Sequence, residues 1–297
     1  MALAEAGWDE MLRLGIKPPV ATVNAILRSC IAAADSDRFN RYYGYFKSTK
    51  TRPNIVSYTL KMTMLGTTGD LSAASEVVEE LKRNGSEPDV ALFNNLMKMY
   101  AERRDKNGVQ NTLNTMHANG LEVNARTVSF LVKFYTEEDE LELAEHTYST
   151  APPEIQENNL VRLSLMKLYT ARGSLDQALA LYDSMRGANM GIRRRALQLL
   201  IMGCGAESNP EMLAKAEVLT TESSLMDLKM SNGLITAWIR CGSDESALRC
   251  AAQSEKDGII LNEVSYTALV SGLRRLKKYD LAEKFQAQAK EKGIVIR

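Results

Sequence analysis

Histidine and cysteine, on which many metal sites and nucleophilic enzymes depend, are scarce in this sequence. It has two histidines, His117 and His146, and four scattered cysteines, Cys30, Cys204, Cys241 and Cys250. It contains no His-x-Glu, no Cys-x-x-Cys and no glycine-rich phosphate-binding loop. We therefore expect no metal, no cofactor and no catalytic residues, and hence no enzyme. The histidines should lie on the surface and the cysteines should be reduced thiols.

The sequence also lacks net charge and long apolar runs. Lys+Arg and Asp+Glu both number 37, and neither end carries a charged tail. The apolar stretches are far shorter than the roughly 20 residues that span a membrane, and nothing at the N-terminus resembles a signal or transit peptide. The apolar fraction of 45% is that of an ordinary globular protein. We expect a soluble chain without a membrane span, and a modest, salt-sensitive affinity for any polyanion.

What the sequence does contain is alanine recurring about every 35 residues, a period typical of a solenoid whose repeats bury their apolar faces against neighbours. The marks are Ala4, Ala74, Ala144, Ala178, Ala216, Ala247 and Ala282, with Phe39 and Val109 in two vacant places. We place eight repeats in residues 20–297, starting at residues 20, 55, 90, 125, 159, 194, 228 and 263, and number them one to eight. Residues 1–19 match the second helix of an incomplete repeat.

Each repeat is predicted to be a helix, a turn, a second helix and a cap. Apolar residues at helical spacing mark the first helix, as in Phe93, Leu96, Met97 and Tyr100. Past the second helix a glycine recurs at the place of a left-handed cap, at Gly15, Gly85, Gly120, Gly258 and Gly293. Two deviations are expected: Pro152-Pro153 should shorten a second helix, and the segment from Gly205 to Pro210 should lengthen a turn by about three residues.

The repeat junctions resemble those of pentatricopeptide repeat proteins. They read PNIVSYT (53–59), PDVALFN (88–94) and NEVSYT (262–267), and GSLDQAL (173–179) and YDLAE (279–283) resemble the family's second helix. The resemblance covers essentially the whole chain, whereas the tryptophan and Leu-Gly signature of the tetratricopeptide repeat is not seen. It implies an all-α fold, a right-handed α-α superhelix, that binds single-stranded RNA with one base per repeat on its first helices.

In this family the fifth and last residues of a repeat read the base. The resemblance gives the pairs Asn24 with Asn54, Thr59 with Asp89, Asn94 with Asn124, Ser129 with Asn158, Leu163 with Arg193, Gln198 with Asp227, Asn232 with Asn262, and Thr267 with Arg297. The pairs in repeats five and six, Leu163 with Arg193 and Gln198 with Asp227, fit no strong code. The first four repeats would read pyrimidine, G, pyrimidine, A from 5′ to 3′, and repeat seven a pyrimidine.

The resemblance also implies that the second residue of a repeat wedges between bases. Only Val56, Leu160 and Val264 offer a bulky aliphatic surface there, because the other repeats carry Ala21, Ala91, Arg126, Arg195 and Lys229. One helical turn after the fifth residue stand Arg28, Lys98, Lys133 and Lys167, which would touch phosphates or else form a solvated face. The acidic run Glu137, Glu138, Asp139, Glu140 and Glu142 would repel phosphate if it faced the groove.

Two alternatives stay open at this point. Asn, Thr and Ser near a helix start commonly cap their own backbone, although small polar residues fill the fifth place in six of eight repeats.

For the function, one interpretation is a sequence-selective RNA adaptor in organellar RNA processing, stabilisation or translation. The other is a protein-docking scaffold in an organellar ribosome or transcription complex, favoured by the degenerate central repeats and zero net charge. The resemblance implies a mitochondrial or plastid location.

Overall fold

The computed structural model describes residues 2–185 and 187–296, and helices are the only regular elements in these ranges. In chain order they are α1 (Ala2–Arg13), α2 (Val20–Ala32), α3 (Ser36–Ser48), α4 (Ile55–Thr68), α5 (Leu71–Arg83), α6 (Val90–Glu102), α7 (Lys106–Ala118), α8 (Ala125–Glu137), α9 (Leu141–Ser149), α10 (Pro153–Gln156), α11 (Asn159–Ala171), α12 (Leu175–Ser184), α13 (Met190–Ala206), α14 (Pro210–Glu222), α15 (Leu228–Arg240), α16 (Asp244–Lys256), α17 (Glu263–Arg275) and α18 (Tyr279–Glu291).

The chain divides into two compact parts, Met1–Thr127 and Val128–Arg297. In the first part, helices α2, α4 and α6 lie side by side, and each packs against its own second helix, α3, α5 or α7. Its core includes an aromatic cluster of Trp8, Phe39, Tyr42, Tyr45 and Phe46. Each such side chain contributes roughly 1.5–3 kcal/mol on burial, so this cluster joins α1 firmly to α3.

The second part repeats the same arrangement. Helices α11, α13, α15 and α17 form a row, and each contacts its second helix, α12, α14, α16 or α18. A large apolar cluster extends from Met166 to Ala289, and Val270, Leu273 and Ala282 form a smaller one. Each helix pair buries its apolar face against the next pair. The first helices therefore lie in a row along one side of each part.

Local signals explain where the helices begin and end. Second helices start at side chains that accept a hydrogen bond from a backbone N–H three residues later, at Asp35, Asp70, Asp105, Asn209 and Ser243. The predicted glycine caps are confirmed, because Gly15, Gly85, Gly120, Gly258 and Gly293 have φ between 68° and 80°. That left-handed conformation carries no Cβ penalty in glycine.

The fourth residue of the second helices, most often alanine, is buried as its recurrence indicated. Ala74, Ala144, Ala178 and Ala247 are fully buried, whereas the side chain of Ala4 lies outside the described residues. The mark at Ala216 is wrong. In α14 the equivalent fourth residue is Leu213, which restores a step of about 35 residues on both sides.

The predicted lengthening of the turn between Gly205 and Pro210 is therefore wrong too. Residues 207–209 separate α13 from α14, and the corresponding turns 172–174 and 241–243 are equally long. The predicted interruption at Pro152-Pro153 is confirmed, because α9 ends at Ser149 after nine residues. Proline lacks the N–H that a continuing helix needs.

The start of α13 differs from the start placed for repeat six at Arg194. Helix α13 begins at Met190, where the Asn189 side chain accepts a hydrogen bond from the backbone N–H of Ile192 and caps the helix one turn early. The burial pattern keeps the expected phase, with Leu197 and Leu200 buried as Ser231 and Leu234 are in α15. The consequence is that Arg193, placed last in its repeat, lies inside a helix.

The scarce residues behave as ordinary structural groups. His117 and His146 are exposed, and burial raises the pKa of the Cys204 and Cys250 thiols to about 12. Within the described ranges, His, Cys, Asp and Glu nowhere form a group of three or more suited to a metal ion. In the same ranges every helix is too short or too polar to cross a bilayer.

Candidate nucleic-acid interface

The fifth residues of repeats one and seven contact the last residues with which the sequence paired them. Asn24 Nδ2 donates a hydrogen bond to Asn54 Oδ1 at 3.1 Å. Asn232 Nδ2 donates to Asn262 Oδ1 at 3.3 Å. Two amides that stand 30 residues apart in the sequence therefore meet between neighbouring first helices in both parts of the protein.

A hydroxyl group from the third residue of the next repeat completes each of these contacts. Ser57 Oγ donates to Asn24 Oδ1 at 2.8 Å, and Ser265 Oγ donates to Asn232 Oδ1 at 2.5 Å. In repeat three, Thr127 Oγ1 donates in the same way to Asn94 Oδ1 at 2.9 Å. The sequence prediction missed these hydroxyls, because at the start of a helix Ser and Thr are ordinary capping residues.

A sequence signal for the hydroxyls does exist. The third residue is Ser or Thr after every repeat whose fifth residue is Asn, at Ser57, Thr127 and Ser265. In the other four repeats that precede another repeat, the fifth residue is Thr59, Ser129, Leu163 or Gln198. The third residue of the repeat that follows each of these is apolar, namely Leu92, Val161, Ala196 and Met230 in the same order. The pairing becomes visible only when residues from adjacent repeats are compared.

The last residues of the repeats act as helix caps, and the fifth residue Thr59 also bonds its own backbone, as the capping alternative expects. Asn54 and Asn262 form capping boxes with Ser57 and Ser265, and Asp89 Oδ1 accepts from the Leu92 backbone N–H at 2.8 Å. Similar caps are formed by Asn124, Asn158 and Asp227. The fifth residues lie inside the first helices, where their side chains cannot act as N-caps.

The remaining predicted pairs are not joined directly in the described residues. Thr59 Oγ1 donates to the Ile55 carbonyl of its own helix at 2.9 Å. Ser129 Oγ lies 2.9 Å from Ser164 Oγ rather than against Asn158. Asp227 forms an ion pair with Arg194 at 3.3 Å and makes no hydrogen bond to Gln198, its predicted partner. The partner predicted for Thr267, Arg297, lies outside the described residues.

The residues predicted to wedge between bases differ in solvent exposure, and those predicted to contact phosphate differ in whether they already form ion pairs. Leu160 and Val264 are 50% and 56% exposed, and Val56 is half-buried. Lys98 pairs with Glu102, whereas Lys133 and Lys167 share Glu137 at 3.9 Å and 2.5 Å. Arg28 is exposed and has no ion-pair partner among the described residues. One carboxylate of the acidic run, Glu137, thus pairs with two predicted phosphate contacts and offsets part of their positive charge.

The first helices of repeats four to seven line an apolar cleft of about 470 Å³. Its apolar surface includes Leu163, Leu199 and Met202, of which Met202 is 63% exposed. The cations around it are Lys133, Lys167, Arg195 and Lys229. The cleft lies in the repeats where the sequence predicted gaps in the code, and Gln198, the fifth residue of repeat six, is part of its lining. Arg193, from the same gap, donates instead to Tyr182 and Ser223.

Repeated helix pairs with polar residues in step along the first helices define a helical-repeat protein. The model of the pentatricopeptide repeat domain matches residues 8–68, 62–103, 76–138 and 249–295, and that of the single repeat matches residues 163–190. Because these matches cover more than half of the sequence, the chain belongs to the pentatricopeptide repeat family.

Individual relatives agree with this assignment. A mitochondrial pentatricopeptide repeat-containing protein of Arabidopsis thaliana is 26% identical over 97 residues, which are 32% of this chain and 14% of that protein. The crystal structure of PPR10 in complex with an 18-nt psaJ RNA element matches 99% of this chain and 43% of its own, with 18% identity and a TM-score of 0.78. PPR10 from maize matches 100% of this chain and 49% of its own, with 21% identity and a TM-score of 0.50. The chain spans less than half of each, and the structural matches confirm the predicted all-α superhelical fold class.

Proposed function

We propose that this protein binds single-stranded RNA sequence-selectively, one base per repeat, and acts in organellar RNA processing, stabilisation or translation. The observation that carries the proposal is the recurring contact of Asn24 with Asn54 and of Asn232 with Asn262. In this proposal residues 20–297 hold eight repeats, of which repeat six has its first helix extended back to Met190, and α1 is the second helix of an incomplete repeat. The RNA complex of PPR10 and the mitochondrial Arabidopsis relative support the partner and the location.

The chemistry of the fifth and last residues suits an unpaired base. Amide and carboxylate side chains held on rigid helices present fixed donors and acceptors, which is how helical repeats read single bases. Asn94 Nδ2 is a buried donor without a hydrogen-bond partner among the described residues. Buried donors without acceptors are uncommon, because each costs about 1–3 kcal/mol. Because this donor is also shielded from solvent, an acceptor on a bound base would reach it only after the Asn94 side chain turns outward.

The proposal is tested by binding two RNA probes at fixed salt concentration. The first contains pyrimidine-G-pyrimidine-A, and the second has the same composition in scrambled order. We expect tighter binding of the first probe in fluorescence anisotropy, because each well-matched base contributes about 1–3 kcal/mol of discrimination. Equal binding of both probes, or no binding, would contradict base reading.

The phosphate contacts give a second expectation. Arg28→Gln should weaken binding of every probe to a similar extent. It should also make the negative slope of log K against log salt shallower by about 0.7, the value for one phosphate on a single strand. Lys98→Gln is the comparison, since Lys98 lies at the same place in its repeat but is paired with Glu102. We expect a smaller change in slope for Lys98→Gln. Equal slopes for wild type and Arg28→Gln would exclude Arg28 as a phosphate contact.

A second candidate function, protein docking, is favoured by the cleft in the central repeats. Its apolar lining at Leu163, Leu199 and Met202 cannot hydrogen-bond to base edges, whereas it would bury apolar side chains of a partner. Docking there would make the central repeats a protein contact and leave base reading to the others. A Met202→Glu variant that keeps RNA binding and loses a partner protein recovered by crosslinking would favour the scaffold.

A further inference from the structure

We propose that the third-place hydroxyls of Ser57 and Ser265 are positioning residues that fix which atoms of the Asn pairs face the base, and so determine base preference in repeats one and seven. This inference rests on the proposed RNA-binding function and adds residues outside the fifth and last places. The chain of contacts begins at the backbone of the third residue. There the Ser57 N–H donates to Asn54 Oδ1 at 3.1 Å, and the Ser265 N–H donates to Asn262 Oδ1 at 3.2 Å.

The cap fixes the orientation of the last-place amide. Because Asn54 Oδ1 accepts from the helix N-terminus, its Nδ2 must point the other way. The fifth-place Asn24 can then approach Asn54 Oδ1 only with its own Nδ2, as it does at 3.1 Å. Turning Asn24 over would bring two oxygens together, since neither could donate a hydrogen.

This orientation leaves the oxygen of the fifth-place amide in need of a donor. Asn24 is only 4% exposed, so water cannot readily supply one. The Ser57 hydroxyl does so at 2.8 Å, closer than its 3.0 Å contact to Asn54 Oδ1. Ser265 shows the same order, with 2.5 Å to Asn232 and 3.2 Å to Asn262.

The three groups therefore form a relay with a defined direction. The serine hydroxyl donates to the fifth-place amide oxygen, and the fifth-place NH₂ donates to the last-place amide oxygen. The last-place NH₂ has no hydrogen-bond partner among the described residues. Asn54 is exposed, so this NH₂ is the group offered to a base, and it requires an acceptor such as a pyrimidine carbonyl. Hydrogen bonds in such a chain strengthen one another.

Repeat three has the hydrogen bond from the third-place hydroxyl to the fifth-place oxygen, but not the one from the fifth-place NH₂ to the last-place oxygen. Thr127 Oγ1 donates to Asn94 Oδ1 at 2.9 Å, but Asn94 Nδ2 makes no hydrogen bond to a described residue. The hydroxyl alone thus suffices to orient the fifth-place oxygen. The contact of Thr127 shows that a threonine hydroxyl can reach the fifth-place oxygen as serine does.

The test compares Ser57→Ala with Ser57→Thr, using the pyrimidine-G-pyrimidine-A probe and a probe with A in place of the first pyrimidine. Ser57→Ala should reduce discrimination at the first base by about fivefold or more, the equivalent of roughly 1 kcal/mol for one hydrogen bond. Discrimination at the G opposite repeat two should stay unchanged. Ser57→Thr should keep the wild-type ratio within about twofold, and Ser265→Ala should act only on the base opposite repeat seven.

A matched control and a spectroscopic measurement separate positioning from stability. Thr22→Ala removes a third-place hydroxyl that makes no hydrogen bond to a described residue, so it should leave base preference unchanged. In ¹⁵N–¹H spectra the Asn24 side-chain amide should shift in Ser57→Ala and return near its wild-type position in Ser57→Thr. A first-base preference that survives Ser57→Ala, or that Ser57→Thr fails to restore, would overturn the role of the hydroxyl. A wild-type protein without any first-base preference would overturn the proposed function itself.

Discussion

The double variant Thr59→Asn with Asp89→Asn should lose the preference for G opposite repeat two. The Watson–Crick edge of G offers two adjacent N–H donors, which a carboxylate accepts well and an amide accepts only in part. We expect the ratio of affinities for G and pyrimidine probes to fall by about 5- to 150-fold, since a good bidentate pair is worth about 1–3 kcal/mol of discrimination. Anisotropy titrations with probes that differ only at the second base measure this ratio.

The folding of the double variant should be preserved. Asp89 Oδ1 caps α6 through the Leu92 backbone N–H, and Asn caps helices as well as Asp does. The control is Asp105→Asn, which makes the same change at the N-cap of α7, a second helix, where Asp105 accepts from the Gly108 N–H. Persistent G preference in the double variant, or an equal loss in Asp105→Asn, would show that repeat two does not read its base through Asp89.

The gain of pyrimidine preference in that variant should be smaller than the preference of repeat one. The third residue of the next repeat is Leu92, which lies fully buried and has no hydroxyl to orient the amide that Thr59→Asn introduces. An engineered Asn pair therefore lacks the donor that Ser57 gives to Asn24. Comparing repeats one and two in this variant separates the contribution of the pair from that of the hydroxyl.

Gly205→Ala should destabilise the second part of the protein by about 1–3 kcal/mol, the usual cost of overpacking a core. A Cβ at Gly205 would lie 2.9 Å from both Cα and Cβ of Ala237, so α13 and α15 would have to separate. Because Cα belongs to the backbone, no rotamer change removes the clash. Urea unfolding followed by far-ultraviolet circular dichroism measures the loss.

Gly233→Ala, in the same pair of helices, is the matched control. Its Cβ would meet only Ile201 Cγ2 at 3.8 Å, an ordinary contact. Alanine is favoured over glycine inside a helix by up to about 1 kcal/mol, so this variant should be as stable as wild type or more stable. Two glycine-to-alanine changes at one interface are thus expected to act in opposite directions. A destabilised Gly233→Ala together with an unaffected Gly205→Ala would contradict this account of the packing.

The helices could be predicted from the sequence because their signals are local. Apolar spacing in PDVALFN and the glycine caps are properties of a dozen consecutive residues, and the helices at Ile55 and Val90 begin where these signals place them. The errors arose where two local signals compete. Asn189 caps α13 one turn before Arg194, and Leu213 occupies a position that holds alanine in most other repeats.

The candidate site was predictable in its positions and not in its hydrogen bonding. The period placed Asn24 and Asn54 in step, and the structure brings them to 3.1 Å. The direction of that bond depends on the Ser57 N–H and hydroxyl, which reach the pair from the next helix. The loss of Lys167 as a free cation depends in the same way on Glu137, 30 residues earlier in the chain.

The order of residues alone determined the repeat length, the all-helical architecture and the places where polar side chains recur, since these follow from spacing and backbone preference within one helix. Packing of neighbouring helices decided which amide atoms remain available for hydrogen bonds, which lysines form ion pairs, and where an apolar cleft lies. The reason is that a hydrogen bond or an ion pair has a partner and a direction, and here both come from an adjacent repeat.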